Sequence, residues 1–498
     1  MEFVRSLRLV VSFFALDREA APKVKKKEEI ILFKFLRLRK NKNQSDPSLI
    51  FKIFVLSKNN NCSMIYRILR LLVGLGIKIY YKEITVKNVN ALDHDGPMII
   101  IANHPNTLMD AWMIGYACPK PIYFMAKSTF FNSSFKRKIL KSLNMIPINR
   151  QVDGKIKGIN NADSFEACYQ LLEEGKTLVV FPEGTSIPER KLRELKSGTA
   201  RIALEAEARN NGQLNLKIVP IGLFYSQAEK FRSSVLISIE NGLFATDFLT
   251  EYSQNASLAA KKLTKVFRLH LERVLISTEN KTQEELLHKL FAVFWARKRD
   301  KVVSEEVKLM KEIQTKLEEI QLLKPYLMNE IQDLLQVIEW QTRKLAIHTD
   351  FIHRRFRSRL YLIQLSLSIF FLLVGFPFFV FGLINNFIQY KLVDFLVPKL
   401  TKFVEFYAAV GVLLSFIIYP LFYSGLFYGA DKLFHMPFIM DVIYSVSLPL
   451  SGLYAYSFAR YLKRIGYKWK YIFLIFNQRE AIKELQHVQT SLLQLIND

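Results

Sequence analysis

A histidine and an aspartate six positions apart form the most chemically suggestive pair in the sequence. They lie in residues 103–110 (NHPNTLMD), directly after the strand-like apolar run 98–102. Catalytic groups collect where strands end and loops open. If a helix begins near Asn106, Asp110 falls in its first turn and can reach back to one nitrogen of His104. That contact would fix the tautomer and stabilise the imidazolium formed when the other nitrogen takes a proton, so the pair predicts a general base.

By itself the pair is also compatible with a loop histidine and an unrelated carboxylate at a helix start, and three further blocks decide between the two interpretations. Residues 179–186 (VVFPEGTS) predict a strand and a tight turn, where Glu183 and the amides around Gly184 suit a polar acceptor. Residues 146–150 (IPINR) predict a short strand that ends in an arginine, whose planar guanidinium matches phosphate geometry. Residues 218–222 (IVPIG) complete the set.

These four blocks, in this order and at about this spacing, resemble the glycerolipid acyltransferase family, which includes the glycerol-3-phosphate and lysophosphatidic acid acyltransferases. The resemblance covers about residues 64–245. It implies that His104 is the base and Asp110 its orienting carboxylate. It also implies that the other blocks bind or flank the acyl acceptor, through Asn149, Arg150, Glu183, Gly184, Thr185 and Pro220.

The sequence departs from the family pattern at two places. Five residues separate His104 from Asp110, whereas four are commonest, and this longer form resembles a sub-branch with fungal-type glycerol-3-phosphate acyltransferase relatives. The arginine that usually follows Glu-Gly-Thr is replaced by Ser186, for which Arg190 or Lys191 could substitute. The acceptor pocket is therefore the least determined part of the prediction.

The composition favours a membrane protein with no metal site. The 498 residues include 70 Lys and Arg against 45 Asp and Glu, a formal net charge of +25 that attracts polyanions. Nucleic acid is one such partner, but the basic residues flank long apolar segments, which favours anionic membrane lipids. Three cysteines without Cys-x2-Cys spacing argue against both a disulfide framework and a zinc site. We expect no cofactor apart from the acyl donor, acyl-CoA or acyl carrier protein.

The order of elements predicts an α/β domain over residues 64–280, with a mixed sheet flanked by helices. Residues 64–80 have the basic amphipathic pattern of a helix that lies in a membrane interface. Strands are predicted at 98–102, 121–126, 144–149, 177–182, 216–225 and 234–239, and helices at 107–116, 135–142, 160–174 and 196–210. The preceding residues 1–63 are basic and lack a periodic element. Our hypothesis is a disordered leader, with the native start at Met64.

A helical linker and a membrane region are predicted after the α/β domain. Residues 281–350 carry an apolar stripe at three- and four-residue spacing, interrupted by Pro325, which fits a packed helix pair or a coiled-coil dimer contact. Residues 351–470 contain three long apolar candidates at 360–384, 403–428 and 437–459. We interpret 387–398 as a re-entrant or interfacial piece and 471–498 as a C-terminal amphipathic helix. Basic clusters flank the whole region, so an even number of crossings would keep both flanks in the cytoplasm.

The sequence therefore predicts an integral membrane O-acyltransferase of phospholipid biosynthesis, with its α/β domain facing the cytoplasm. The expected acceptor is glycerol-3-phosphate or lysophosphatidic acid. Two alternatives stay open: transfer to another lysophospholipid, and a non-enzymatic lipid-binding membrane protein that keeps the fold. No Gly-x-Ser-x-Gly motif occurs, which argues against a serine hydrolase.

Overall fold

The computed structural model describes residues 64–149, 161–298, 301–351 and 358–497. The predicted leader 1–63 and the predicted phosphate ligand Arg150 lie outside these residues.

Two compact units make up the chain. We call the first the sheet unit, and it comprises the described residues within 64–351, 392–417 and 466–497. We call the second the helical unit, and it comprises the described residues 358–391 and 418–465.

A mixed sheet of eight strands lies at the centre of the described part of the sheet unit. The strands are β1 (Glu83–Lys87), β2 (Met98–Ala102), β3 (Ile122–Lys127), β4 (Met145–Ile148), β5 (Thr177–Val180), β6 (Lys217–Tyr225), β7 (Ser234–Ile239) and β8 (Leu243–Phe244). Their order is β1-β7-β6-β2-β5-β3-β4, with β8 paired to β6. β6 runs antiparallel to β7 and β8, and the other pairs are parallel. The predicted mixed sheet is confirmed.

The central strand β2 shows why the sequence forms this sheet. All five of its residues are fully buried, as expected for a parallel strand covered on both faces. Ile100 points into one hydrophobic cluster, and its neighbours Ile99 and Ile101 point into another. This alternation follows from the two-residue period of a strand. The rigid centre of the sheet therefore carries the loop that follows Ala102.

Helices cover both faces, and the first five lie close to their predicted positions, whereas the last two were not predicted. They are α1 (Met64–Tyr80), α2 (Thr107–Ala117), α3 (Ser134–Ser142), α4 (Asn161–Glu173), α5 (Gly198–Arg209), α6 (Leu249–Gln254) and α7 (Ala256–Val274). α1 and α2 contribute to the cluster around Ile100, whereas α4, α5 and α7 contribute to the cluster around Ile99. The Asn255 side chain caps α7 by accepting the Leu258 N–H at 3.0 Å.

The predicted linker forms α8 (Lys281–Arg297), α9 (Val303–Leu323) and α10 (Leu327–Leu345), with Pro325 between the last two. The apolar stripe of α9 is buried within the chain at Met310, Ile313, Leu317 and Ile320. This burial favours the packed-helix interpretation over a dimer contact. A separate helix at α8 was not distinguished in the sequence.

The C-terminal region forms α11 (Ser358–Leu400), α12 (Tyr407–Phe434), α13 (Phe438–Asn477) and α14 (Arg479–Asn497). Among the described residues, three helical stretches are long and apolar enough to cross a membrane: Ile363–Leu400, Val404–Phe434 and Phe438–Asn477. Each overlaps one of the three predicted candidates, beginning one to three residues later and ending further on.

Two boundaries in this region differ from the prediction. Residues 387–398 continue α11 instead of forming a separate piece, because an uninterrupted helix satisfies its own backbone hydrogen bonds. α13 runs past residue 470 to Asn477, and the C-terminal amphipathic helix begins at Arg479 rather than at 471. The apolar face of α14, formed by Ile482, Leu485, Leu492, Leu493 and Ile496, joins the same buried cluster as α9 and α10.

One buried amide links all three helices of the helical unit. Asn386 of α11 is 6% exposed, and its Nδ2 donates to the Leu448 carbonyl of α13 at 3.1 Å. Its Oδ1 accepts the Tyr423 O–H of α12 at 2.6 Å. Interhelical hydrogen bonds of this kind fix the packing of apolar helices.

Candidate active site

The histidine and the aspartate predicted to form a pair lie in contact. His104 follows β2 in the loop that leads into α2, and Asp110 occupies the first turn of α2. His104 Nδ1 lies 2.9 Å from Asp110 Oδ2. The Asp110 side chain is fully buried, whereas that of His104 remains 19% exposed. A buried carboxylate thus orients an imidazole that solvent or a ligand can reach.

The Asp110 carboxylate is held by two further donors. Oδ2 accepts the backbone N–H of Asn106 at 2.7 Å, and Oδ1 accepts the O–H of Tyr225 at 2.7 Å. Burial, together with the nearby Asp110 charge, raises the pKa of the Tyr225 phenol well above its usual value. Tyr225 therefore keeps its proton and serves as a donor. With both oxygens held, the carboxylate has one orientation toward His104.

The imidazole ring is fixed from a second direction. It stacks on Phe181, with ring centroids 3.9 Å apart and an interplanar angle of 10°. Its Nδ1 is occupied by Asp110, and no described residue bonds to Nε2. Nε2 is therefore the nitrogen that can exchange a proton with a ligand.

Glu183 connects the end of β5 to the histidine loop. Its Oε1 accepts the backbone N–H of His104 at 3.1 Å, and its Oε2 accepts the backbone N–H of Arg193 at 3.3 Å. Burial raises the pKa of Glu183, while these two donors act in the opposite direction. The carboxylate predicted to bind the acceptor thus also positions the backbone of the predicted base.

A cleft of about 230 Å³ opens beside His104. Its lining includes His104 and Glu183, the loop 187–192, residues 223–229, and Glu284 and His288 of α8. The cleft is therefore bounded partly by a helix of the linker, beyond the four motif blocks.

Arg190 and Lys191, the two possible substitutes for the missing arginine, both line this cleft. The Arg190 guanidinium lies over the Phe224 ring at 4.7 Å and donates to Met310 Sδ at 2.7 Å. Burial lowers the pKa of Arg190 and, with the Arg190 charge, lowers the pKa of His288 to about 4. His288 is thus neutral at pH 7. On this side of the cleft, Arg190 carries a positive charge that His288 does not.

The remaining predicted residues lie around the cleft or away from it. Gly184 has φ +70°, and a Cβ there would lie 2.8 Å from Lys196 Nζ, so the turn before Thr185 requires glycine. Asn149 ends the β4 segment, where its backbone exchanges two 2.9 Å hydrogen bonds with the Asn161 side chain. Pro220 is buried inside β6 opposite Ile101 and does not line the cleft.

Thr107, at the start of α2, holds a strained backbone next to the pair. This β-branched residue has φ +41°, a conformation that costs of order 1–3 kcal/mol and persists where its surroundings impose it. Its N–H donates to Ser186 Oγ at 3.0 Å, and its Oγ1 donates to the Glu405 carbonyl at 2.9 Å. Ser186, the departure from the family motif, thus has a defined structural partner.

The contact to Glu405 shows that part of one predicted membrane segment packs within the sheet unit. The candidate membrane segment 403–428 contributes its first part to the sheet unit, which includes residues 392–417. Ala408 and Val412 are buried in the hydrophobic cluster that also contains residues of α1 and α2. Val412 and Phe416 lie against Gly76 of α1, where an added Cβ would lie 2.9 Å from Val412 and 2.8 Å from Phe416.

Sequence reasoning missed the partners that hold the pair in place: Phe181, Tyr225, Asn106 and Glu405. Phe181 lies inside a motif block and Tyr225 ends a predicted strand, so the sequence placed both residues near the ends of strands. Neither position specified a contact with the histidine loop. Glu405 had no local signal, because its contact is through a backbone carbonyl.

Part of the chain is similar to known acyltransferases. Residues 83–223 match the family model described as Acyltransferase. A probable 1-acyl-sn-glycerol-3-phosphate acyltransferase of Mycoplasma pneumoniae is 30% identical over 134 residues, 26% of this chain and 48% of the relative. The 1-acyl-sn-glycerol-3-phosphate acyltransferase of Helicobacter pylori is 28% identical over 150 residues, 26% of this chain and 61% of the relative.

Two further proteins are similar to part of this chain. Glycerol-3-phosphate O-acyltransferase 2 of Saccharomyces cerevisiae is 28% identical over 111 residues, 21% of this chain and 15% of that protein. The solved structure of the 1-acyl-sn-glycerophosphate acyltransferase PlsC of Thermotoga maritima is 18% identical, with a TM-score of 0.32, covering 45% of this chain and 87% of that one. The chain spans about half the length of the first relatives it matches.

Proposed function

We propose that the chain transfers a fatty acyl group from a thioester to a hydroxyl of a glycerol-phosphate-type acceptor, because residues 83–223 match the family model described as Acyltransferase. The observation that carries this proposal is the His104–Asp110 contact beside an open cleft. The acceptor is glycerol-3-phosphate or lysophosphatidic acid, and the donor is acyl-CoA or acyl carrier protein. The names of the relatives, which act on acylglycerol phosphate or glycerol-3-phosphate, support this acceptor class.

The chemistry follows from the free nitrogen of His104. Nε2 removes the proton of the acceptor hydroxyl while the oxygen attacks the thioester carbonyl carbon. Asp110 stabilises the imidazolium that results. The tetrahedral intermediate then breaks its C–S bond, and the leaving thiolate takes the proton from Nε2. A general base of this kind contributes about 10²- to 10⁴-fold to the rate.

The acceptor's phosphate requires cations beside the cleft. We assign this role to Arg150, as the resemblance implies. Arg190 supports it from the cleft wall, where its planar guanidinium is already fixed by Phe224 and Met310. Glu183 and the turn at Gly184 complete the acceptor side. This assignment makes the cleft a site for a phosphorylated acceptor.

The membrane places the enzyme near its substrates. Three long apolar helices support integral attachment, and their outward side chains are apolar, as at Phe370, Leu373 and Ile384. α1 adds an exposed apolar face at Ile68, Leu71, Leu72, Leu75 and Ile79, which suits the membrane interface. The basic clusters that flank residues 358–459 favour a cytoplasmic sheet unit.

The number of crossings is limited by packing inside the sheet unit. α14, after the apolar helices, packs with α10, before them, in one hydrophobic cluster. We infer that both lie on the same side of the membrane, so that the chain between them crosses it an even number of times. On this inference, at least one of the three apolar helices does not cross completely.

Cysteine accessibility tests this arrangement. The test uses two variants in a Cys62→Ser background, Asp350→Cys and Glu480→Cys. Both cysteines should react with an impermeant maleimide in inverted vesicles. Neither should react in sealed cells. Detergent-permeabilised cells provide the control for reactivity. Labelling of the two positions from opposite sides would contradict an even number of crossings.

The activity is tested by His104→Ala in purified membranes with labelled acyl-CoA and a panel of acceptors. We expect transfer to fall by at least about 10²-fold, because the base is removed. Membrane insertion and thermal unfolding should match the wild type, since His104 is partly exposed and its removal leaves Asp110 two other donors. Near-normal transfer in this variant would refute the proposed mechanism.

A further inference from the structure

We propose that α3 is a docking surface for an anionic lipid bilayer, which brings the membrane to the edge of the sheet where His104 lies. The surface consists of the exposed apolar residues Phe130, Phe135 and Ile139 with the basic residues around them. The inference rests on the proposed function for its purpose, because only a lipid-modifying enzyme gains from a bilayer at this edge. The docking itself is measurable without any turnover.

The apolar residues of α3 are unusually exposed. No residue of this nine-residue helix is buried. Phe135 is 75% exposed and Ile139 is 41% exposed, and Phe130 in the preceding turn is 51% exposed. Adjacent exposed apolar side chains of this size mark an interaction surface.

The segment of sequence that carries these residues has charge of one sign. From the end of β3 to the start of β4, residues 127–145, it contains no acidic residue but contains Lys127, Lys136, Arg137, Lys138 and Lys141. A basic cluster next to exposed apolar groups is attracted to anionic headgroups at short range. The partner that fits this surface is therefore negatively charged on its outside and apolar beneath.

The geometry of α3 fits a bilayer in particular. At 3.6 residues per turn, Phe135 and Ile139 lie on one line, and Lys136 and Lys138 project about 80° to either side of it. Lysine side chains in such positions extend to the headgroups while their stems cover apolar surface. The helix is held to the domain from the other side, since Phe131 in the preceding turn is fully buried. This places the apolar line outward.

The sheet relates this surface to the catalytic pair. β2, β5 and β3 are parallel neighbours, so their carboxyl ends share one edge of the sheet. His104 follows β2, Glu183 follows β5, and the turn 128–131 leading to α3 follows β3. A bilayer bound at α3 thus meets the same edge of the sheet as His104 and Glu183.

The test uses the full-length chain reconstituted in vesicles. In the Cys62→Ser background, Phe135→Cys and Ile139→Cys carry an environment-sensitive fluorophore. Leu258→Cys on α7 is the matched control, because this apolar residue of the same unit is 65% exposed. Cys118 and Cys168 are buried and should not react. Lipids brominated on their acyl chains quench labels that enter the bilayer.

In vesicles of phosphatidylcholine and phosphatidylglycerol, labels at 135 and 139 should be quenched at least about threefold more than the label at 258. The difference should shrink in phosphatidylcholine alone and at high salt, because screening weakens the attraction. Equal quenching at 135 and 258 in the anionic vesicles would overturn the proposal. So would protection of residue 135 that appears only when a soluble acidic carrier protein is added.

A second variant links docking to activity without touching the catalytic pair. Lys136→Glu combined with Lys138→Glu should lower transfer to a long-chain acceptor in anionic vesicles about tenfold. Transfer between short-chain soluble substrates should be unchanged, since neither lysine lines the cleft. Equal losses in both assays would overturn the docking role. If the wild type showed no transfer to any acceptor, the proposed function would be refuted. The quenching experiment would still test the docking.

Discussion

Two buried polar networks, one in each unit of the molecule, are built from similar parts. In the sheet unit, Asp110 accepts the hydroxyl of Tyr225 at 2.7 Å. In the helical unit, Asn386 accepts the hydroxyl of Tyr423 at 2.6 Å. In both, a short polar side chain is more than nine-tenths buried and is held by a tyrosine from another element.

The two networks differ in where they end. The described partners of Asn386 are other helix residues, through the Gly382 and Leu448 carbonyls, Ser451 and Tyr423, so this network is closed and neutral. The partners of Asp110 include His104, which reaches the cleft and keeps one nitrogen free. Burial of a polar group therefore does not by itself indicate chemistry. A network that delivers a titratable group to an open cleft does.

Among the substitutions that test this difference between the networks, Asp110→Asn is expected to have the largest effect on turnover. An amide cannot accept from the imidazole, the Asn106 N–H and the Tyr225 O–H together, since its nitrogen is a donor. We expect turnover to fall by about 10²- to 10⁴-fold, more than the acceptor KM rises. Tyr225→Phe is the control: it keeps the histidine contact and should reduce turnover much less. A change in KM alone would make Asp110 a binding residue.

A smaller effect is expected from Arg150→Lys, which tests whether Arg150 binds the phosphate of the acceptor. Lysine keeps the charge but loses the bidentate fork. Loss of one charged hydrogen bond costs about 1.5–3 kcal/mol, or roughly 10- to 150-fold in kcat/KM for a phosphorylated acceptor. The acyl-CoA KM should barely change. An equal loss for acceptors with and without phosphate would show that Arg150 is structural.

The smallest effect should come from the closed network. Asn386→Leu keeps a similar side-chain volume but removes the bonds to Tyr423 and Leu448. We expect the free energy of unfolding in detergent to fall by about 0.6–1.7 kcal/mol, with turnover within about twofold of the wild type. Tyr423→Phe removes one of these bonds and should cost less. A loss of turnover as large as that of Asp110→Asn would break the distinction between the two networks.

The strands and helices around the site were predictable from the sequence because each has its own periodicity. β2 is a continuous apolar run, and α2 begins where a polar loop follows it, so His104 and Asp110 could be placed within one turn of each other. β1 was missed because its five residues, EITVK, begin and end with charges. Those ends fit an edge strand, which has only one neighbour in the sheet.

The contacts across the chain could not be predicted in the same way. Tyr225 reaches Asp110 over 115 positions, and nothing local in its strand marks it as a partner. The sequence also did not show that the first part of segment 403–428 belongs to the sheet unit and the rest to the helical unit. Hydropathy records that a segment is apolar but does not distinguish lipid from a protein core as its surroundings. The first part of α12 is buried in the core of the sheet unit at Ala408 and Val412, whereas its later residues Leu421 and Tyr428 are exposed.

The bond between Thr107 and Glu405 also has a consequence for the order of synthesis. Glu405 enters the chain 298 residues after Thr107. At about 5–20 residues per second, a ribosome needs roughly 15–60 s to cover that distance. Through that interval the strained start of α2 lacks the carbonyl that holds it, and the core beneath lacks Ala408 and Val412. α11 emerges before Glu405 does, so the nascent chain presents this long apolar helix while the histidine loop is still incomplete.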